Sequence, residues 1–411
     1  MLLLPVTALV ALTTATTYHT RPAELTTSAI RRYIATYNET RGKIPAWARK
    51  YGVTCNFCHS PAVPRLNGTG IKFRWAGYRM PAEIGQKIDV GKVSEYMSFR
   101  GRVRYGYEKT QSQPVSESGF SFHDATLFYS GAFGTSYSAF FEVEREAEDD
   151  IGLTAHMSTV WGNAKAWGGF RFGLMHWLLR DGVAGFDRPT GIRTPTPLAS
   201  PLTATMPFKF SKDQLGLEAY YVVGQNRLSA ELLNGVNRTG SGGGKDTDVD
   251  KDFVITDQLL FDDRGSGLTL MGYYGSINGL DTSMPNLTSH FWRTAISANK
   301  IFPNSFELLG GLAYGKDTDL PTSADTKGFG YWGQAQYMIP PHSVTLFGRW
   351  EFADPDTDVD DNANRRFVFG GVVPLNLPEY LRLALEYALD FPQGPGSKNT
   401  NGFMAEMMLN F

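Results

Sequence analysis

"LRLALEYALDF", residues 381–391, places Leu381, Leu383, Leu385, Tyr387, Leu389 and Phe391 on one side of an extended chain and Arg382, Glu386 and Asp390 on the other. Strand side chains alternate with a period of two, so the stretch has one apolar and one charged face. The same pattern recurs in both directions from it. In "MSFRGRVRYGY" (97–107), Phe99, Val103, Tyr105 and Tyr107 oppose Arg100, Arg102 and Arg104. In "RLSAELL" (227–233), Leu228, Ala230 and Leu232 oppose Ser229 and Glu231. The chain ends "FMAEMMLNF", with Phe403, Ala405, Met407, Leu409 and the terminal Phe411 on one face.

A soluble β-sandwich also alternates; segment and connection lengths separate it from a membrane barrel. About sixteen alternating segments follow residue 96, most about ten residues long, the length a tilted strand needs to cross an outer membrane. Short connections fall at 132–136, 164–167, 224–226, 263–266, 301–304, 339–342 and 374–379. Long ones fall at 110–118, 146–151, 177–209, 237–251, 276–288, 316–327, 353–364 and 392–401. Short turns on one side and long loops on the other predict an all-β transmembrane barrel of about sixteen antiparallel strands over 96–411. Its setting is the bacterial outer membrane, with membrane lipid against its outer face. The longest connection, between the fifth and sixth strands, carries the proline-rich "RPTGIRTPTPLASPL".

Composition agrees. Glycine (44) and aromatics (13%) are abundant, as barrels require. A net charge of −2 leaves no basis for nucleic-acid binding. The opening "MLLLPVTALVALTTATT", residues 1–17, reads as the h-region and cleavage zone of a signal peptide without its basic n-region. Residues 24–95 differ from the remainder. "ELTTSAIRRYIATYNETRGKIPAWARKYG" reads as helix broken at Pro45, and "PRLNGTGIKFRWAGYRMP" as a turn and a short helix.

Between them, "VTCNFCHSP" (53–61) holds both cysteines of the chain, Cys55 and Cys58, and then His59. A redox pair would sit near a βαβ pattern, and a structural zinc would need a second ligand pair. Neither is present in the sequence. C-x-x-C-H is the signature of covalent haem attachment, with both thiols on the vinyl groups and the histidine on the iron as proximal ligand. The expectation is one haem c per chain in an α-helical c-type cytochrome domain, residues 24–95. Ile44, Trp47, Phe57, Leu66, Phe73 and Trp75 are apolar residues available to cover it.

With both halves in view, the chain resembles the fused monohaem cytochrome–porin family of outer-membrane proteins, whose best-known members are iron oxidases. The resemblance is carried by residues 44–81: Ala48, Arg49 and Tyr51 before the haem motif, then Pro64, Leu66, Asn67, Gly70, Phe73, Arg74, Gly77 and Tyr78. The barrel resembles the family in architecture only. The resemblance implies a cytochrome plugging the barrel, and an Fe(II):cytochrome c oxidoreductase role. A small domain buries proportionally little surface, and a barrel of this size leaves a channel to fill, so the plug has its own physical reason.

The second axial ligand stays open between Met80, the lumen-parity His156 and an open or water-ligated iron. Asp246, Asp248, Asp354 and Asp356, in Asp-rich long loops, are weak candidates for drawing cations to the pore mouth. Arg100, Arg102 and Arg104 read as wall residues in water or ion pairs, or as propionate partners. One haem cannot bridge an apolar band about 25 Å tall. A small reduced donor such as Fe(II) therefore enters from outside, and a periplasmic carrier, a soluble cytochrome c, receives the electron. The alternatives are an outward or non-iron conduit, or a diffusion porin whose haem domain is a plug or sensor.

Overall fold

The computed structural model describes residues 45–60, 63–111, 116–146, 151–175, 190–237, 249–321, 324–339, 344–375 and 381–411. The expected signal peptide, the helix expected before Pro45, and Ile44, Asp246 and Asp248 lie outside them.

Sixteen antiparallel strands form one closed sheet. They are β1 Met97–Thr110, β2 Glu117–Phe133, β3 Tyr137–Glu146, β4 Ile151–Thr159 continued by Trp161–Asn163, and β5 Ala166–Met175. Both parts of β4 pair with β5, so they are one strand interrupted at Val160. Then come β6 Gln214–Val223, β7 Asn226–Leu233, β8 Asp252–Leu260, β9 Gly267–Asn278, β10 Thr288–Ile301 and β11 Phe306–Thr318. The series ends with β12 Thr326–Ile339, β13 Val344–Asp354, β14 Asn364–Pro374, β15 Leu381–Pro392 and β16 Thr400–Asn410. Each strand pairs with its sequence neighbours, and β1 closes on β16 from Arg100↔Asn410 to Thr110↔Thr400. Phe411 extends that seam: its N–H donates to the Phe99 carbonyl (2.9 Å), and the Phe99 N–H donates to its carbonyl (2.6 Å).

The faces are inverted relative to a soluble protein. On β6, Leu217, Tyr221 and Val223 are exposed, while Gln214 and Glu218 are buried. On β15, Arg382 and Glu386 point inward and are buried, and Phe391 is exposed outside. An apolar exterior on a closed ladder suits hydrocarbon, where no backbone group can be left unpaired. This is an outer-membrane barrel.

Inward charges are paired. Glu218 takes Arg227 and, at 3.6 Å, Arg171; Arg293 meets Asp317 at 2.7 Å, Arg349 meets Glu351 at 2.6 Å, and Arg382 meets Glu406 at 2.7 Å. Removing one partner of such a pair strands a buried charge, a cost of about 3–5 kcal/mol.

Two segments bury these side chains. At the short-turn end the chain before β1 lies inside the barrel. It carries α1 (Ala46–Tyr51) and α2 (Gly68–Trp75) and touches the wall all round. The Trp47 indole donates to Ser130 O (3.2 Å), the Arg171 guanidinium to Arg74 O (3.1 Å), Lys72 pairs with Asp263 (2.9 Å), and Arg65 with Glu307. The second segment is the β5–β6 connection, which the sequence marked only as long and irregular. Residues 190–210, with α3 (Thr196–Ala199), run along the inner wall. Ile192 N–H donates to Glu386 (2.8 Å), Thr196 N–H and Oγ1 to Glu351 (2.7 and 2.6 Å), and Thr205 to Asp317 (2.6 Å). Leu202, Met206, Phe208 and Phe210 then pack on Tyr273, Phe291 and Trp332 of the wall. Prolines keep this segment out of the sheet ladder, and the wall carboxylates accept from its free N–H groups.

Connection lengths predict the side on which each one lies. A protease site inserted after Asp358, in the β13–β14 loop, should be cut on intact cells. One inserted after Asn304, in the β10–β11 turn, should be cut only after the outer membrane is opened. The reverse pattern would invert the topology.

Candidate functional site

The Cys-x-x-Cys-His stretch begins where α1 stops. Gly52 takes a left-handed turn (φ 67°), and Cys55–Phe57 form one 3-10 turn closed by the Cys58 N–H donating to Cys55 O (3.2 Å), to which the His59 N–H also donates (2.9 Å). Asn67 ties this turn to α2. Its side-chain oxygen caps the helix, accepting from Thr69 and Gly70 N–H (3.0 and 3.1 Å), and its Nδ2 donates to Asn56 O and Phe57 O (both 3.2 Å). Gly70 lies directly against the Cys58 carbonyl, where a Cβ would be inside contact distance. An N-cap, a turn clamp and a close approach thus come from two residues three positions apart, Asn67 and Gly70.

The His59 ring has a fixed tautomer. Nδ1 lies 3.0 Å from the Arg65 carbonyl, which can only accept, so Nδ1 carries the proton and Nε2 keeps its lone pair. Burial, with the Arg74 charge adding to it, lowers the His59 pKa to about 4, so the ring is the neutral, ligating form at physiological pH. Burial pushes the Cys58 thiol up to about 11. That is the opposite of the depressed pKa of a reactive redox thiol.

Beyond α2 the chain turns sharply. Gly77 and Tyr78 both take positive φ (67° and 58°), a conformation costly for an aromatic residue. Tyr78 is held there on every side. It stacks between Trp47 (5.1 Å) and Phe140 (5.6 Å), and its hydroxyl is 3.1 Å from His156 Nε2. Next, the fully buried Arg79 donates to Thr135 O and Tyr137 O of the β2–β3 turn (both 2.7 Å).

These pieces enclose one cavity of about 360 Å³ between the inner segment and strands β1, β2, β3 and β16. Cys55, Cys58, His59 and Met80 all line it. Trp47, Phe73 and Tyr78 wall it from the inner segment, and Phe128, Phe140 and Met408 from the barrel. Its size is that of a small-molecule site, and its lining is mostly apolar with a few polar groups. A cofactor with an apolar body, two sites for sulfur and an axial position fits this donor set.

Other expected residues are distributed differently. Leu66 lines the cavity as expected, but Trp75 faces the far wall beside Trp167 and Val160, and Phe57 is exposed (45%) at the short-turn end. His156 sits behind Tyr78 and Phe140 and does not line the cavity. Arg100 lines it, but bonds Thr126 (2.9 Å) and pairs with Glu144 (3.0 Å); Arg102 pairs with Asp124, and Arg104 with Glu406 (2.6 Å). Asp354 and Asp356 stand in successive turns that accept from Asp356 and Asp358 N–H (both 3.2 Å), apart from the cavity. Among the described residues, no three His, Cys, Asp or Glu side chains are grouped to hold a metal ion by themselves. Sequence reasoning missed Phe128, Phe140 and Met408. The signal was there: Phe128 and Phe140 break the polar run of inward positions on β2 and β3.

No family model matches the chain, and no curated protein does. Solved structures do. An anion-selective porin from Comamonas acidovorans superposes with a TM-score of 0.58 at 13% identity, over 77% of this chain and 98% of its own. The fold is a porin-type barrel. OmpF of Salmonella typhi follows at 0.56 and 12% identity (77% and 97%), and OmpT of Vibrio cholerae at 0.51 and 14% (77% and 97%).

The clamp at Asn67 predicts a graded series. Asn67→Ala removes cap and clamp and should cost about 1–2 kcal/mol. Asn67→Asp keeps the cap acceptor and should cost less. Gly70→Ala should make residues 45–96 protease-sensitive while the barrel keeps its heat-modifiable mobility in electrophoresis. Limited proteolysis of the detergent-solubilised protein reads all three.

Proposed function

We propose that this protein is an outer-membrane electron-transfer protein, a c-type cytochrome domain plugging a porin-type barrel, with one haem c per chain in the cavity. The observation that carries the reading is the convergence of Cys55, Cys58, His59 and Met80 on one aromatic cavity, with His59 fixed in the tautomer that leaves Nε2 free. The resemblance over residues 44–81 supports it. Cys55 and Cys58 would hold the haem covalently, each thiol S–H adding across a vinyl group to give a thioether with no oxidant needed. His59, oriented by Arg65 O, would hold the iron through Nε2, and Met80 through its thioether. The haem supplies reversible one-electron chemistry. The aromatic walls exclude water and hold the potential up.

The donor in this reading is small, soluble and reduced, with Fe(II) the best candidate. One electron leaves Fe(II), giving Fe(III), and passes through the domain to a periplasmic one-electron carrier such as a soluble cytochrome c. The diffusion-porin alternative has the fold in its favour. Against it, inward side chains such as Arg227 and Arg349 are fully buried by the two inner segments.

Two measurements test the reading. Cys55→Ala with Cys58→Ala should abolish haem staining after denaturing electrophoresis; staining that persists, or wild-type protein that never stains, ends it. Anaerobic mixing with Fe(II) should reduce the oxidised wild-type haem, and His59→Ala should lose that reduction with the barrel still assembled. Reduction by dithionite but never by Fe(II) would leave the cytochrome and remove iron as its donor.

A further inference from the structure

Methionine is a demanding axial ligand. It is neutral, flexible about three torsions, and holds iron only if its main chain is placed well. The backbone around Met80 has no helix or sheet to place it: α2 has ended, and only the short 3-10 turn Pro81–Glu83 follows. Pro81 keeps Met80 extended (φ −67°, ψ 144°). One carboxylate then fixes it. Glu83 Oε2 accepts the Met80 N–H at 2.7 Å and the Tyr51 hydroxyl at 2.8 Å.

Tyr51 ends α1, the helix that leads into the cysteine turn, and its ring meets Phe73 edge-on at 5.7 Å. The carboxylate therefore ties the Met80 segment to the helix that leads into the attachment motif, and Tyr51 and Met80 both line the cavity. Lys50 and the buried Arg79 lie close to Glu83. Burial and Glu83 itself keep the Tyr51 phenol far above its ordinary pKa, so it stays a donor. Arg79 pins the other side of Met80 to the barrel wall.

We propose that Glu83, braced by Tyr51, is a positioning residue that sets Met80 as the distal haem ligand. The proposal rests on the haem reading above and adds a residue that touches neither iron nor donor. A carboxylate that merely caps the 3-10 turn would affect stability alone; one that places the ligand also changes the ligand field and the potential.

The test uses the full-length, haem-stained protein in detergent, with ligand-field spectra and potentiometric titration. Glu83→Ala should lose most of the low-spin, methionine-ligated signature and lower the midpoint potential, because thioether ligation raises it. Tyr51→Phe should move both in the same direction by less. Glu83→Gln, whose amide oxygen still accepts both bonds, should recover most of the wild-type signature. Combining Glu83→Ala with Met80→Ala should add nothing to Met80→Ala alone. All variants should keep haem staining and heat-modifiable mobility. If Met80→Ala shifts both readouts but Glu83→Ala and Tyr51→Phe shift neither, the positioning role is wrong and the haem reading stands. If Met80→Ala shifts neither, there is no thioether ligand to position, and the proposal falls. Wild-type protein without haem staining overturns the cofactor reading itself.

Discussion

Closure of the strand ladder is the constraint from which the remaining structure follows. A strand edge cannot be left in hydrocarbon, so β1 has to meet β16, and the Phe99–Phe411 pair finishes that seam. Sixteen closed strands enclose far more space than their inward side chains can fill. An open porin leaves that space to water. Here the inner segment and residues 190–210 occupy much of it, and charges such as Arg227, Arg293 and Arg349 become buried rather than solvated. They persist because each has a carboxylate beside it.

The same constraint explains why the cavity is shared. The inner segment before β1 is too small to surround a large apolar group by itself. Inside the barrel it needs to cover only part of the cavity, because Phe128, Phe140 and Met408 supply the opposite wall. The two parts are joined through groups that fix geometry rather than add area: Arg79 on the β2–β3 turn, Tyr78 on His156, Arg65 on Glu307. Positive φ at Tyr78 is sustained by these contacts. The cavity is therefore a property of the assembled barrel.

Legibility in the sequence followed the physics of each element. Strands were readable because an apolar exterior and a charged interior make parity plain, as at Leu381–Phe391, and because each turn and loop length marks a side. The connection expected to be long at 146–151 was the exception, spanning only the four residues between Glu146 and Ile151. The Cys-x-x-Cys-His stretch could be picked out because its residues are adjacent in the chain. Packing was not readable. Trp47, Phe73 and Trp75 look alike in sequence, yet two line the cavity and one faces the far wall. Which way each ring points is set by where α2 meets Cys58, a backbone contact that alternation and spacing do not encode. The inward course of 190–210 was hidden for a related reason: its anchors, Glu351 and Glu386, lie more than a hundred residues downstream.

Placement of the cavity also bears on what moves. It lies at the short-turn end, beside the 261–266 turn, with Asn56 and Phe57 exposed there. In barrels of this type that end faces the periplasm. In the proposed reading an acceptor on that side needs only to touch the exposed edge of the motif. A donor from outside has most of a band about 25 Å tall still to cross. Among the described residues no second thiol or histidine cluster stands along that path to relay an electron. In the proposed reading that distance is covered by the donor itself, passing residues 190–210. On that same reading the inner loop, rather than the cytochrome domain, decides which donors arrive; its backbone is held by Glu386, which also pairs with the loop's own Arg193, and by Glu351, which the inward Arg349 needs as a partner.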